Sequence, residues 1–455
     1  MQKPAERPPK SSPSFCNNPG NRGTRVKNRH RPAFRGSRAA KVALADTEVL
    51  SLLWLLCAVC ALPTAHFSQQ TQQCDTATPA ADTAMSTLAV DVVIIGGGIS
   101  GLQVARGVLS AGLSCLVLEA RARVGGRLLS RAGVDLGATW SWRGETRVAK
   151  LAAELGVARF AQHESGDAIL DRGASASPLR IRGAGARVEG LRFAGGAQAL
   201  ANGLASRLPE GTVRLGARAT AVRGWAGVGA EPGEVATIVE FDMGGIRSIV
   251  QADLAVVLAL PPALAVAAIV FEPALPAQTA AIASTTPTWM ASTAKTVVTY
   301  SSPFWRKARL SGTAFADGGG PLSEIYDHCG DGDAGAAALF GFSHGGAPTA
   351  NDVIVQLVRV FGEEAAKPLA VETMDWRTDP LTAGGHMASH GGNPRRNFGS
   401  KAFTSGGDGR GGRGATLLWS STETSTEAAG HIEGALLAAS RSVEFIVRRA
   451  KVNNK

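Results

Sequence analysis

Val92-Val-Ile-Ile95 runs into Gly96-Gly97-Gly98-Ile99-Ser100-Gly101 and on through Leu102-Gln-Val-Ala-Arg-Gly-Val-Leu109. The first piece is a short β-branched run, suited to a buried parallel strand. The second satisfies G-x-G-x-x-G, and the third turns helical. A further apolar strand, Cys115-Leu-Val-Leu118, ends on Glu119, close to the usual spacing of about 20 residues past the glycines. Each part has a task in cradling a dinucleotide. Gly96 allows the tight turn, Gly98 lets a pyrophosphate approach the backbone, and Gly101 lets helix and strand pack closely. The helix opening around Ser100 turns free N–H groups and its positive dipole end toward the phosphates. Glu119 accepts hydrogen bonds from ribose hydroxyls. A lone G-x-G-x-x-G arises by chance in a Gly-rich chain, but strand, loop, helix, strand and acid in this order form a specific signal.

The rest of the 455 residues is read outward from that core. Apolar residues make up 45% and Gly numbers 55, enough for a sizeable core with many tight backbone passages. The formal charge of +10 describes a leader more than a binding face, because the cations from Lys3 to Lys41 meet only Glu6. That leader lacks periodicity and is rich in Pro, Ser and Asn, as disordered segments are, so nucleic acid is not expected as a partner. Cys57 and Cys60 have C-x-x-C spacing but no second ligand pair, which argues against zinc. No metal site is expected. The apolar run from Leu50 to Leu62 is too short to span a bilayer comfortably. It reads as a signal-peptide core behind an overlong basic leader, or as the second half of a two-part organelle signal. A start of translation at Met85 would remove it and leave a cytoplasmic product. The compartment stays open among these, as does the oligomeric state.

After Glu119 comes Ala120-Arg121-Ala-Arg-Val-Gly125-Gly126-Arg127. A second glycine pair with an arginine gives another close backbone approach and a bidentate cation for the pyrophosphate. Here the chain resembles the flavin-containing amine oxidase superfamily, whose members share E-A-x-x-R-x-G-G-R just after the dinucleotide fingerprint. The resemblance continues through Val134-Asp-Leu-Gly137-Ala138-Thr139-Trp140, Phe193-Ala-Gly-Gly196 and Leu258-Ala-Leu-Pro-Pro262. It implies an α/β fold: a Rossmann-like FAD-binding domain interleaved with a smaller α+β substrate domain. The FAD domain would take residues 88–150, 192–276 and 384–449, and the substrate domain 151–191 and 277–383, behind the leader 1–84.

The resemblance also implies site residues. Ala294-Lys295-Thr-Val-Val-Thr-Tyr300 followed by Pro303-Phe-Trp-Arg306 is similar to the block that places a lysine near the flavin through a water in monoamine and polyamine oxidases. Lys295 begins an alternating strand, so its ammonium would enter a buried face with a lowered pKa. Ser292 also gives S-x-x-K with Lys295, but the partner motifs of acyl-enzymes are absent. Near the C-terminus, Leu417-Leu-Trp-Ser-Ser-Thr-Glu423 and Gly430-His431-Ile432-Glu-Gly-Ala435 resemble the closing family block. Glu423 would meet the ribityl–pyrophosphate region, and a long final helix would point its N-terminus at the flavin. Ala219, Trp376 and Ile432 complete the implied cofactor contacts.

The departures from the family pattern matter as well. Ser421 replaces a glycine, Ala428 a tryptophan, and His431 and His386 stand where cage tyrosines are usual. Tyr300 and Tyr326 are the only tyrosines, so no two-tyrosine cage forms there. Gly385 takes the place of the flavin-linking cysteine, which predicts non-covalent FAD. The two histidines could orient or deprotonate an ammonium substrate. The expected reaction is oxidation of a small amine by hydride transfer, with O2 as acceptor. Two alternatives stay open: a related FAD-dependent desaturase or dehydrogenase, and a module that binds FAD without turnover. The short stretch between Phe160 and the Gly195-Gly196 turn predicts a small, open substrate pocket, and Gly406–Gly414 reads as a flexible loop rather than an RNA-binding segment.

Overall fold

Leu88–Ile95 forms the axis of an eight-stranded sheet. The computed structural model describes residues 88–183, 189–225, 236–317, 319–331, 335–382, 393, 395–404 and 416–453; the leader, the His386 stretch and Gly406–Gly414 lie outside them. Val92, Val93 and Ile94 are fully buried, as a run without alternation requires when both faces of a sheet are covered. Cys115–Glu119 pairs parallel on one side, Ile95 facing Leu118, and Val213–Leu215 extends that edge. On the other side lies Ile246–Leu258, with Ile95 facing Leu258. This long strand forks the sheet. Its first half pairs antiparallel with Thr237–Met243, leading through Ala217–Arg223 to Val270–Glu272. Its second half pairs parallel with Thr416–Trp419.

Alternate residues of the axis feed two cores. Val92 and Ile94 pack beneath the helices Ile99–Ser110 and Ile432–Asn453, with Val104, Val108, Ala439 and Ile446. Val93 and Ile95 face the opposite layer, with Val256, Leu258, Ala265 and Phe403. The two helices approach closely at Gly107, where an added Cβ would stand 2.6 Å from Val443. A mid-helix glycine costs about 1 kcal/mol against alanine, and this contact is what it permits.

A second sheet of seven strands runs in the order Ala370–Asp375, Ala294–Tyr300, Ala337–Ser343, Glu324–Asp327, Leu310–Ala316, Asp167–Asp171 and Leu179–Ile181. Its pairs are antiparallel except where Leu310–Ala316 meets Asp167–Asp171. The helix Ala350–Phe361, capped by Thr349 through the Asp352 N–H (3.2 Å), packs Val353, Leu357 and Phe361 into this sheet's core. The chain visits the parallel sheet, crosses at Asp167, returns at Val213, leaves at Ala294 and comes back at Thr416. The architecture is therefore α/β, a Rossmann-like sheet interleaved with a second, largely antiparallel one.

Two details differ from the sequence reading. The division expected at residue 150/151 falls inside the helix Thr146–Leu155. That helix buries Val148, Leu151 and Ala152 against Ile99, Leu102, Leu200 and Leu436, so it packs as one piece with the dinucleotide layer. The short stretch after Phe160 forms strands that lengthen the second sheet. Among the described residues, no helix is long and apolar enough to cross a membrane.

Candidate cofactor and active site

One large cavity, about 2030 Å³ counted out to open solvent, runs from the end of the Rossmann strands to the second sheet. The glycine loop forms its floor. An added Cβ on Gly101 would collide with the Gly96 carbonyl oxygen, so this glycine answers to the loop itself. Gly98 is the opposite case. A Cβ there would meet no protein atom within 4 Å, and the space it would fill belongs to the cavity. The parallel bridge Gly98–Gly125 and the bond from Gly125 N–H to the Gly97 carbonyl (2.9 Å) join the first glycine loop to the second. Ser100 Oγ donates to the Ser420 carbonyl (2.5 Å), tying the helix start to the end of Thr416–Trp419.

Glu119 is buried, its two oxygens accepting the N–H of Gly97 (2.7 Å) and of Arg121 (2.8 Å). Each oxygen keeps a lone pair for a ribose hydroxyl. The Arg121 guanidinium turns to Asp379 and to Thr382 Oγ1 (3.1 Å), while still lining the cavity. Arg127 departs from the sequence reading. Its fork, expected on the pyrophosphate, closes on the Glu423 carboxylate at 2.7 and 3.1 Å. Glu423 is fully buried beneath the cavity lining, where it positions Arg127. Burial works against its charge, but Arg127 and the Trp289 N–H outweigh that and hold the carboxyl below its usual range. Arg123, given no role by the sequence, donates to the carbonyls of Val124, Gly126 and Leu128 and braces the second glycine loop.

Gly137, Ala138, Thr139 and Trp140 form one wall, with Lys295, Phe342 and Trp376 beside them. Lys295 is 2% exposed. Its Nζ donates to the Gly137 carbonyl (3.0 Å) and to Thr139 Oγ1, and lies 4.1 Å from the centre of the Phe340 ring. Burial pulls its pKa down from 10.5 to about 7, against a smaller opposing pull from Asp135. Asp135 is another residue whose role the sequence hid. Its Oδ1 accepts from Ser130 Oγ (2.6 Å) and from Ala197 N–H (2.8 Å), which fastens the Gly195-Gly196 turn behind this wall. Trp376 Nε1 donates to the Leu136 carbonyl (3.1 Å). Ala219 lines the far end, Ser421 and Thr422 the near side, and Ile432 the start of the last helix.

His431 lines the same cavity, its Nδ1 2.8 Å from Glu145 Oε1. His386 lies outside the described residues. Tyr326 does not line the cavity; its ring packs edge-on against Trp140 and its hydroxyl donates to Glu324 (2.8 Å). Neither described cysteine, Cys115 or Cys329, lines the cavity.

A bare glycine floor, a helix N-terminus, a buried acid for ribose and a small-residue wall at Gly137–Ala138 fit FAD, held non-covalently. The chain shares this design with a wider class: the model for flavin containing amine oxidoreductases matches residues 99–184 and 174–447, and the chain belongs to that family. A flavin-containing amine oxidase of Danio rerio is 40% identical over 85 residues, 18% of this chain. A putrescine oxidase of Kocuria rosea is 37% identical over 83 residues, 17% of each protein. The matched stretch spans only 16% of the Danio rerio protein. Among solved structures, wild-type putrescine oxidase bound to putrescine aligns with a TM-score of 0.65 at 22% identity, covering 80% of this chain and 100% of that one. Cyclohexylamine oxidase from Brevibacterium oxydans IH-35A aligns at 0.64 and 19%, covering 80% and 99%. At such identities the structural likeness speaks for the fold.

Proposed function

We propose that this chain is an FAD-dependent amine oxidase, converting a small amine to an imine with O2 as electron acceptor and hydrogen peroxide as product. The observation that carries the reading is Lys295, a wholly buried ammonium on the cavity wall, tied to the Gly137–Thr139 segment. Bound FAD would take a hydride from the carbon next to the amine nitrogen and pass the electron pair to oxygen.

The chain's own groups do the rest. Gly96, Gly98 and the helix opening at Ser100 would bind the pyrophosphate, and Glu119 the ribose. Arg127, held by Glu423, adds positive charge near the same path. Trp140, Trp142, Trp289 and Phe342 give the cavity apolar walls that exclude water from the reacting carbon. With a pKa of about 7, Lys295 carries its proton for part of the time at neutral pH. A positive Nζ favours negative charge gathering on oxygen, and a neutral one can hold a water. His431, on the wall beside Trp142, would receive the proton that an ammonium must lose before its carbon yields a hydride.

The visible spectrum of the purified full chain tests this. Recorded without oxygen, the oxidised flavin band should bleach on adding a pool of mono-, di- and polyamines, and return on admitting air. A band that no amine bleaches would keep the fold and sink the amine reading, leaving a desaturase or a module that binds FAD without turnover.

A further inference from the structure

We infer that Glu145 is a positioning residue for His431, fixing the imidazole so that Nε2 faces the cavity as the acceptor of the substrate's ammonium proton. The inference rests on the amine-oxidase reading above and adds a residue that neither the glycine motifs nor the lysine block touches.

Glu145 occupies the position just before the helix Thr146–Leu155, where a side-chain oxygen ordinarily caps the first free N–H groups. It makes no such bond. The N–H groups of Arg147 (3.2 Å) and Val148 (2.9 Å) go instead to Glu433, the second residue of the last helix. Relieved of that duty, Glu145 accepts the Trp142 N–H on Oε2 (2.9 Å) and His431 Nδ1 on Oε1 (2.8 Å). A carboxylate only accepts, so Nδ1 carries the hydrogen and Nε2 presents a lone pair. The Glu145 side chain is 8% exposed while that of His431 is 32% exposed, on the cavity wall. The Trp142 ring flanks the imidazole, 6.1 Å between centroids and 35° between planes.

The pair supplies what an amine substrate lacks. In neutral water an alkylamine is almost wholly ammonium, with a pKa near that of lysine, about 10.4. Its nitrogen then has no lone pair to support loss of a hydride from carbon. In the proposed step one ammonium N–H bond breaks, the proton bonds to Nε2, and the electron pair stays on the amine nitrogen. The positive charge moves to the imidazole, against the Glu145 carboxylate. The exposed edge of the ring returns the proton to water before the next turnover. The neighbouring charges leave this exchange open. Arg147 and Glu433 pair with each other (3.5 Å), Arg143 is exposed to solvent, and Arg127 is closed on Glu423.

Two measurements on the full chain carrying FAD test the inference. Glu145→Gln keeps the shape and removes the charge. It should retain the flavin spectrum, while the rate of anaerobic bleaching by amine at neutral pH falls about 100-fold. Near pH 10.4, where about half the amine arrives already neutral, most of that loss should disappear. A loss equal at every pH would make Glu145 a merely structural residue and overturn the proton role. The second readout needs no turnover. In nitrogen-15 histidine spectra of the wild type, the His431 signal, identified by its absence from His431→Asn, should show hydrogen on Nδ1 alone, and Glu145→Gln should give a mixture. Hydrogen on Nε2 in the wild type overturns the positioning. If no amine bleaches the wild type, the amine reading falls and takes the base role with it. The tautomer spectrum then still decides whether Glu145 sets the imidazole.

Discussion

Gly98 and Gly101 stand in one motif yet answer to different partners. At Gly101 the obstacle to a side chain is the Gly96 carbonyl oxygen, part of the protein; at Gly98 it is whatever occupies the cavity. The Gly98 backbone, φ −72° and ψ 176°, suits any residue. Gly98→Leu should therefore fold as well as the wild type, with an unchanged melting midpoint for the FAD-free protein. Binding of FAD should weaken by about 3 kcal/mol, the scale of overpacking, which is roughly a hundredfold in Kd. Titration of the FAD-free protein with FAD, read by flavin fluorescence, checks this; equal affinities would mean that no phosphate lies over Gly98. Residues such as Gly98, Glu119 and Lys295 were legible in the sequence because each sits in a local pattern of strand, loop and helix. Glu145 and Asp135 were not. Their partners come from remote parts of the chain, His431 being 286 positions away and Ala197 62 positions away, and no local spacing announces such a meeting. Glu423 was found in its block, but its pairing with Arg127, 296 positions away, was not, because a pattern shows that an acid is present and not which way it points.

The helix Thr146–Leu155 shows how one element leans on another. Its own N-terminal residue is diverted to His431, and the cap comes from Glu433 of Ile432–Asn453. Removing a cap of this kind costs about 1 kcal/mol, which for a domain of this size lowers the melting midpoint by roughly 1–2 °C. Glu433→Ala should show that loss in a thermal melt. A midpoint unchanged within error would mean that water caps the helix as well as the carboxylate does. Elements were readable where periodicity was long, as in the last helix, or where β-branched runs lay between glycines, as in Leu88–Ile95. The short strands Asp167–Asp171 and Leu179–Ile181 were not readable, because three to five residues carry too little pattern and their pairing partners decide them. For the same reason a domain boundary was drawn through a helix that tertiary packing holds together.

Across the whole molecule, the fold keeps several titratable groups dry. Lys295 and His328 are fully buried, and burial lowers the pKa of both, to about 7 for Lys295 and well below 6.5 for His328. Cys115 and Cys329 move the other way, pushed up from 9.0 to about 12 by burial first and nearby carboxylates second. These directions fix how stability depends on pH. Between about 7 and 10.5 the unfolded chain keeps a proton on Lys295 that the folded one has released, so stability rises with pH through that window. The slope approaches about 1.4 kcal/mol per pH unit. Below 6.5 the unfolded chain also takes a proton on His328 that the folded one refuses, a loss opposed by Asp135, whose carboxyl pKa is raised by burial. Above 9.0 the unfolded thiols ionise while the folded ones stay protonated, so two opposing slopes overtake the single rising one. The FAD-free chain should thus melt highest near pH 9. Lys295→Met should flatten the rise between about pH 7 and 9 and leave the fall above 9 in place, since the cysteines are untouched. Thermal melts of both proteins across that range decide the matter. A rise that survives in Lys295→Met would show that Lys295 keeps its charge in the fold and that some other group sets the slope.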